Sequence, residues 1–439
     1  MVRGLVTISC VLFIVTFSRG QNNLQLHYGY RGSISAAKFL PSTLHLGKDR
    51  MMMGFNYKAW IANKSLSYAT ITDIRNKGSI TDTDIGTFIG ELDRENIIGA
   101  GQDVMLLGIA YQLTHTRHRA TIGFGITDRM SASFRYPKSL LQLAWKGNAQ
   151  FEGQRVDLSQ VSLDARYFRE FAFAGAMDIL RVGDLRLRGG ASLKFYYGLA
   201  AIYMPANQLF FTTGENGDYL QLDYDYSIYT SGIENFSFFK GRGHGWGGNV
   251  GITMSYEKRH YFDVGVSDIG SITFFNETKV FNDNNTILYS GLTRRDLEDL
   301  SNYADSVANI FDNKVVTDKN FKMALGTRLM LQYSYRFVYD DPERNPGNIF
   351  ITLVKGFSEL PGVTREPRIS IGYNQRILKT FFVGISSSWG GFNDLAIGGL
   401  MGVRIRKTRL GIHCDDFTGF LFPKLGTGAG IGLILQTAW

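Results

Sequence analysis

Few residues of this chain are spaced in a way that could support covalent chemistry. His115 and His118 lie three positions apart in a short turn, and two histidines without a third ligand make a weak zinc motif. The glycine-rich stretch 241–248 lacks the Gly-Lys-Ser/Thr sequence of a phosphate-binding loop. His413, close to the pair Asp415–Asp416, is the only hint of a Ser–His hydrolase. The sequence therefore predicts a protein that is not an enzyme and has no metal site and no cofactor.

Basic residues recur at alternate positions of several predicted strands. In the stretch 321–339 the odd positions are apolar, from Leu329 to the tyrosine-rich end, and the even positions include cations and a glutamine. Side chains alternate between the two faces of a strand, so these cations share the face opposite the apolar one. Two later strands repeat the pattern. The cations of this kind are Lys322, Arg328, Arg336, Arg376, Arg404 and Arg406.

These six cations have two interpretations if the apolar faces contact lipid, because the cations then point into a lumen. In the first, each cation pairs with an acid on a neighbouring strand or on a segment folded into the lumen. In the second, the lumen is electropositive and favours anionic or amphipathic solutes. The sequence leaves both open.

The elements that must position these residues are long amphipathic strands. The stretch 321–339 is about three times the usual strand length, and similar alternation recurs at 367–378, 394–405 and 427–438. Fifty glycines, eight prolines and 13% aromatic residues suit many strands joined by turns. We predict an all-β, antiparallel transmembrane barrel of about 14 strands, with 12 to 16 defensible. A soluble two-sheet β protein shares this composition and is the competing interpretation.

The first twenty residues predict export. Arg3 precedes the apolar run Leu5–Phe17, and Ser18 and Gly20 supply the small residues of a cleavage site. We therefore expect residues 1–20 to be a cleaved signal peptide and 21–439 to be a single barrel domain in a bacterial outer membrane. Cys414 is then the only cysteine, so an intramolecular disulfide is excluded. The formal charge of +8 is spread along the chain, which argues against nucleic acid as a partner.

Helical periodicity interrupts the strands near 81–98 and 290–320, and residues 21–42 lack strong periodicity. These three segments are candidates for an internal plug. In the last strand, one face consists of glycines, which would let another backbone approach closely. The glycines that we expect to contact a plug are Gly426, Gly428, Gly430 and Gly432.

The chain ends on Trp439 after this alternating strand. Such an ending looks like the targeting signature of outer-membrane barrels. We therefore expect outer-membrane lipid and the barrel-assembly machinery to be partners.

Several short segments resemble a family of uncharacterised outer-membrane proteins of the Bacteroidetes. They are Tyr136–Leu140, Lys146–Asn148, Arg169–Glu170, Asp296–Phe311 and Gly419–Gly428. That family has the status of a domain of unknown function and looks related to barrels of the fatty-acid-transporter type. The wider group also includes barrels of gliding motility and type IX secretion. In this group an Asn-Pro-Ala motif is common where this chain has Leu40-Pro41-Ser42, which puts any role of that motif in doubt.

The resemblance implies two functions. One is the passage of small hydrophobic or amphipathic molecules through a partly plugged lumen, which predicts an apolar pocket and a bulge or kink in the wall near the plug. The other is a non-transporting scaffold that docks secretion, motility or surface-assembly proteins, which predicts a filled lumen and exposed aromatic loops.

Overall fold

The computed structural model describes residues 40–44, 46, 49–77, 81–113, 119–289, 315–317, 319–337, 347–377, 380–392 and 395–439. The predicted signal peptide and most of the segments 21–42 and 290–320 lie outside these residues. The signal peptide therefore stays a prediction.

Strands dominate the chain. They are β1 (Met51–Asn63), β2 (Glu95–Gln112), β3 (Thr121–Pro137), β4 (Arg155–Asp157), β5 (Ser162–Val182), β6 (Leu185–Met204), β7 (Gln208–Thr213), β8 (Leu220–Ser231), β9 (Gly243–Tyr256), β10 (His260–Phe274), β11 (Thr278–Tyr289), β12 (Val315–Thr317), β13 (Phe321–Ala324), β14 (Arg328–Arg336), β15 (Gly347–Gly356), β16 (Arg368–Ile377), β17 (Phe381–Gly390), β18 (Leu395–Ile405), β19 (Thr408–Asp416) and β20 (Gly428–Ala438). The α-helices are α1 (Tyr68–Asn76), α2 (Asp82–Glu91), α3 (Lys138–Lys146) and α4 (Thr418–Leu421), and 3-10 turns lie at Pro41–Thr43, Ala149–Phe151 and Glu215–Gly217.

The strands close into a 14-stranded antiparallel barrel, as predicted. The order around the barrel is β1, β2, β3, β5, β6, β9, β10, then β13 and β14, and then β15 to β20. β13 and β14 share one strand position in the wall, and each such position is called a stave. Closure is direct, because β20 pairs with β1 from Met52–Ala438 to Ala62–Gly428. The other five strands, β4, β7, β8, β11 and β12, form a side sheet that joins the barrel where β8 pairs with the end of β6.

The two ends of the barrel differ. At one end, which we call the turn end, short turns such as 183–184, 257–259 and 406–407 join the strands, and β1 begins beside the end of β20. The other end, the loop end, carries the side sheet, α1 to α4 and the loop 357–367. Helix α2 occupies part of the predicted helical segment 81–98, beginning at a Thr81–Asp84 capping box, and β2 starts at Glu95.

The outside of the wall is apolar and the inside is polar, the reverse of a soluble barrel. In β16, the odd-numbered Ile369 and Ile371 are 45% and 46% exposed, whereas the even-numbered Ser370 and Asn374 are buried. In β14, Arg328, Gln332 and their inward neighbours are buried, while Leu331 is exposed. This is the face pattern of a barrel that meets lipid on its outside. Within the described residues, no helix is long and apolar enough to cross a membrane.

The prediction that residues 321–339 form one strand is wrong. The structure has two strands here, β13 and β14, separated by residues 325–327. The side-chain alternation continues through 325–327 in the sequence, so the pattern alone could not show the interruption. Its cause is non-local: a Cβ atom at Gly326 would lie 2.3 Å from Val363 Cγ2 of the loop 357–367, which folds against this point.

Leu331 offers a test of the outward face. We expect Leu331→Arg to destabilise the barrel in lipid by about 2–4 kcal/mol, because arginine at the middle of a lipid-facing strand must be desolvated. Unfolding by denaturant in vesicles measures this. The matched control is Leu288→Arg on the side sheet, where Leu288 is 62% exposed, and there we expect a change within about 0.5 kcal/mol. Equal costs at both sites would contradict the assignment of faces.

Candidate functional site

The wall is interrupted between β10 and the stave formed by β13 and β14. β10 pairs with β14 as far as Ser267–Arg328 and with β13 from Ser271–Ala324 onward. The residues between, 268–270 and 325–327, belong to neither ladder, and we call them the wall break. β10 is also bulged here against β9, and Asp268 and Gly270 have φ angles of 56° and 146°. The bulge turns the Asp268 side chain into the lumen.

Isolated hydrogen bonds bridge the break in place of a ladder. The Leu325 N–H donates to the Gly270 carbonyl at 2.9 Å, and the Thr327 hydroxyl donates to the Asp268 carbonyl at 3.0 Å. On the far side, the Phe357 N–H donates to the Thr327 carbonyl at 3.1 Å. The two edges of the break are therefore held more sparsely than a regular pair of strands.

Asp268 is the centre of a buried ion-pair cluster inside the break. Its Oδ1 lies 3.0 Å from Arg129 Nη1 and 2.8 Å from Lys194 Nζ. Its Oδ2 lies 3.1 Å from Arg129 Nη2 and 2.8 Å from Arg328 Nη2. The Asp268 side chain is 2% exposed, and its amide donates to Asn249 Oδ1 at 2.7 Å. A fork of two hydrogen bonds from arginine to a carboxylate is among the strongest polar contacts in proteins.

Two further acids complete this cluster. Glu170 Oε2 lies 3.0 Å from Arg129 and 3.4 Å from Lys194, and Asp103 Oδ1 lies 3.4 Å from Arg129 Nε. We call the three cations and three acids the Asp268 cluster. Because its formal charges balance, the cluster needs no further counter-ion. It links β2, β3, β5, β6, β10 and β14 on the inside of the barrel.

A small cavity adjoins the break, with a volume of about 30 Å³. Leu325, Gly326 and Arg328 line one side, and Leu360 and Val363 of the loop 357–367 cover it. Trp60 and Phe168 contribute apolar surface and Arg129 contributes charge. The cavity is therefore amphipathic, and its volume is close to that of a single water molecule.

Residues 40–44 lie inside the barrel on the turn side. Leu40 and Ser42 are fully buried, and a Cβ atom at Gly190 of β6 would lie 2.3 Å from the Ser42 nitrogen. Thr253 Oγ1 donates to Ser42 Oγ at 2.9 Å, and Arg188 Nη2 donates to the Leu44 carbonyl at 2.8 Å. Residues 40–42, the described end of the plug candidate 21–42, thus lie in close contact with the backbone of β6 at Gly190.

Comparison with known proteins places the chain in a family. Residues 50–415 match the model of a family of unknown function, DUF5723. The chain belongs to the DUF5723 family. No curated protein matches this DUF5723 chain.

Among solved structures, the toluene transporter TodX of Pseudomonas putida is similar over 96% of this DUF5723 chain and 94% of its own, at 10% identity and a TM-score of 0.42. The Ralstonia pickettii toluene transporter TbuX covers 93% of this chain and 94% of its own, at 10% identity and a TM-score of 0.43. A Pseudomonas aeruginosa FadL homologue gives the same coverage at 9% identity and a TM-score of 0.40.

The six predicted cations of the DUF5723 chain separate into different environments. Arg328 joins the Asp268 cluster. Lys322 is exposed on β13, whereas its neighbours Phe321 and Met323 are buried in a cluster that includes the inward-facing Tyr196. The expectation that Lys322 lies on the same face as Arg328 is therefore wrong. Odd-numbered residues point inward in β13 and even-numbered residues point inward in β14, so the inward face changes at the wall break.

The remaining four cations lie near the turn end of the barrel. Arg336 and Arg406 are exposed, and Arg376 and Arg404 are half-buried. Arg404 Nε donates to the Arg406 carbonyl at 3.2 Å. The structure does not bring these residues together with the Asp268 cluster, and their role in attracting an anionic solute stays a prediction.

The glycines of the last strand accommodate neighbouring elements. A Cβ atom at Gly432 would lie 2.1 Å from His413 Nε2, and one at Gly426 would lie 2.2 Å from the Gly419 nitrogen of α4. Gly428 and Gly430 are buried and pair with Ala62 and Trp60 of β1. Close backbone approach therefore occurs at Gly426, but the partner is α4, and contacts with the plug candidates 21–39 and 290–314 lie outside the described residues.

His413, the only hint of a hydrolase in the sequence, lies beside a buried Lys–Asp ion pair. Its Nδ1 lies 3.0 Å from Asp415 Oδ1, and Asp415 Oδ2 lies 2.6 Å from Lys58 Nζ, all of them buried. His115 and His118 lie outside the described residues. Among the residues that the structure describes, no group of three or more His, Cys, Asp or Glu side chains could hold a metal ion.

Sequence reasoning missed most of the Asp268 cluster. Arg129, Glu170, Lys194 and Asp268 lie on four different strands. A signal was present, because Lys194 lies between Leu193 and Phe195 in an otherwise apolar and glycine-rich run. The partners could not be paired without the register of the strands.

Proposed function

We propose that this protein is a bacterial outer-membrane barrel that passes small hydrophobic or amphipathic molecules, with the wall break as the exit from the lumen. The observation that carries the proposal is the position of the amphipathic cavity, which has residues of the break itself, Leu325 and Gly326, as one wall. A molecule held there would have apolar surface from Trp60 and Phe168 on one side and the lipid-facing outside beyond the break on the other.

The cavity at the wall break is too small for such a molecule, so passage requires movement. A volume of about 30 Å³ cannot hold a hydrocarbon of several carbon atoms. The elements that would have to move are the edges of the break and the loop 357–367. Val363 of the loop packs on Gly326 and Gly356, and Arg135 of β3 reaches Glu359 at 2.9 Å through a half-exposed ion pair. The edges of the break are joined by the buried ion pair between Asp268 and Arg328, which would have to shift with them.

Membrane location is part of the same proposal. It is supported by the apolar outer face, by the closure of the barrel, and by the predicted signal peptide and terminal Trp439. Exposed aromatic residues at the turn end, including Tyr256, Tyr373 and Phe381, fit the aromatic girdle of an outer-membrane barrel.

Uptake of N-phenylnaphthylamine tests the proposal, because this fluorescent hydrophobic probe is excluded by an intact outer membrane. We expect bacteria expressing the chain to take up the probe faster than bacteria carrying an empty vector. Planar bilayers containing the purified barrel should show no steady ionic current, because the Asp268 cluster and residues 40–44 both lie inside the barrel. Uptake equal to the vector control would contradict transport, and a steady current would show that these residues leave an open path for ions.

A second candidate function is a scaffold that docks proteins of a secretion, gliding or surface-assembly machine. The side sheet and the exposed Phe236, Phe238 and Phe239 at the loop end favour it, since aromatic residues are enriched at interfaces. Stoichiometric co-purification of another protein with the detergent-extracted barrel would support this function. Co-purification of a lipid-like ligand would support transport.

A further inference from the structure

The segment 232–241, which joins the side sheet to β9, lies against the outside of the barrel wall. Phe236 stacks on Tyr167 of β5 with ring centroids 5.8 Å apart, and Phe238 meets the same ring edge-on at 6.2 Å. The hydroxyl of Tyr197 on β6 donates to the Phe239 carbonyl at 3.0 Å and accepts from the Gly241 N–H at 2.6 Å. We call residues 232–241 the aromatic clasp.

The position of the clasp outside the wall follows from the alternation of its two supporting strands. Tyr167 precedes the buried Phe168 on β5, and Tyr197 follows the fully buried Tyr196 on β6. Phe168 and Tyr196 point into the barrel, where their rings meet edge-on at 5.6 Å. Tyr167 and Tyr197 therefore point outward, and whatever packs on them lies on the outer face.

Two of the three aromatic rings of the clasp pack on Tyr167, and all three are exposed. Phe236, Phe238 and Phe239 are 45%, 54% and 85% exposed. Exposed contiguous apolar surface of this kind marks a binding or membrane-contacting surface in a stable protein.

Charged residues hold the clasp on its polar side. Lys240 donates to Glu277 at 3.0 Å, and Lys279 pairs with Glu234. The Lys240 hydrogen bond, aided by the charge of Arg242, holds the pKa of the Glu277 carboxyl below its ordinary value. The clasp is thus amphipathic, with rings on one side and ion pairs on the other.

The clasp lies at the end of the apolar belt of the wall. On β5 the outward positions run from Phe171 toward the turn end through exposed apolar residues such as Phe173 and Ile179. Arg169, two residues beyond Phe171, forms two hydrogen bonds with Asp128 on the same outer face, at 2.6 and 2.9 Å. These two side chains are only 19% and 14% exposed, and Tyr167, the ring under the clasp, donates to Asp128 at 3.1 Å.

We infer that the aromatic clasp inserts into the lipid leaflet at the loop end of the barrel, at the level where acyl chains meet headgroups. Its rings continue the lipid-facing belt, and aromatic residues favour this boundary. By covering Tyr167, the clasp also keeps acyl chains away from the Asp128–Arg169 pair, which hydrocarbon would otherwise desolvate. The inference rests on the proposed membrane location.

Spin labels at three positions of the full barrel in phospholipid vesicles test the inference. Cys414→Ser removes the cysteine of the mature chain, and a nitroxide is then attached in separate variants carrying Phe239→Cys, Leu193→Cys or Asp225→Cys. Leu193 is a belt control, 57% exposed on the outside of β6, and Asp225 is an exposed control on the side sheet. Relaxation by oxygen, which concentrates in the bilayer, is compared with relaxation by a water-soluble nickel complex.

At position 239 we expect relaxation by oxygen to exceed relaxation by nickel. This preference for oxygen should be weaker than at position 193 and far stronger than at position 225. A nickel response at 239 equal to that at 225 would overturn the inference while leaving the barrel in the membrane. Protection at 239 from both reagents would show a protein cover instead of lipid and would also overturn it. Nickel access at 193 would show that the barrel does not lie in the bilayer, and the inference would fall with the proposed location.

Discussion

Asp268→Asn should destabilise the barrel by about 3–5 kcal/mol, the usual cost of removing one partner from a buried ion pair. Asp268 pairs with three cations, and the side chain of one of them, Lys194, has no exposed surface at all. The asparagine side chain keeps the shape of the aspartate but leaves the cluster with one uncompensated positive charge. Unfolding by urea in vesicles measures the loss.

Two further variants separate the charge from local packing. Adding Lys194→Met to Asp268→Asn restores formal neutrality in the cluster, so the double variant should be less destabilised than the sum of the single changes. Asp225→Asn on the exposed side sheet is the matched control and should cost less than about 0.5 kcal/mol. If Asp268→Asn cost no more than Asp225→Asn, the cluster would not stabilise the middle of the barrel.

Gly190→Val should expel residues 40–44 from the lumen. The first added carbon would already lie 2.3 Å from the Ser42 nitrogen and 2.5 Å from the Pro41 carbonyl carbon, both of them backbone atoms that cannot move alone. Overpacking of this kind costs about 1–3 kcal/mol, which shifts a two-state equilibrium roughly 5- to 150-fold. Maleimide labelling of Ser42→Cys, in a chain carrying Cys414→Ser, should accelerate by a factor in that range.

Gly175→Val on β5 is the control for this experiment, because a Cβ atom at Gly175 meets nothing within 4 Å. Labelling at position 42 should keep its wild-type rate in that variant. Equally slow labelling in both variants would show that the position of residues 40–44 inside the barrel does not depend on the space over Gly190.

The barrel could be predicted from the sequence because one pattern, the alternation of apolar with small or polar residues, recurs in its strands. In β16 and β20 the apolar residues share one face and the small or polar residues share the other, and this period of two survives whatever the partners are. Counting such stretches gave about 14 strands, with 12 to 16 defensible, and the structure has 14 in the barrel. The side sheet was not separable from the wall in this way, because β8 alternates apolar and polar residues as the barrel strands do.

The wall break and its charges could not be predicted, because they depend on residues far apart in the chain. Nothing between Phe321 and Arg328 breaks the alternation, and the interruption comes from the bulge at Asp268 and the loop that carries Val363. The same holds for the cluster, since Arg129 and Asp268 are 139 positions apart and meet only through the register of the barrel. A cation inside a barrel strand could thus be recognised, but its partner could not.

The most direct test of the exit through the wall break is the rate of N-phenylnaphthylamine uptake by bacteria producing the Gly326→Trp variant. The indole is too large for the cavity of about 30 Å³ lined by Leu325, Leu360 and Val363. It would therefore displace Val363 and fill the space between the wall break and the loop 357–367. The control is Gly175→Trp, with both variants brought to the same amount of folded barrel, judged by heat-modifiable migration on gels. We expect Gly326→Trp to reduce uptake to the level of the empty vector while Gly175→Trp keeps the wild-type rate. Wild-type uptake by a folded Gly326→Trp barrel would contradict an exit at this site.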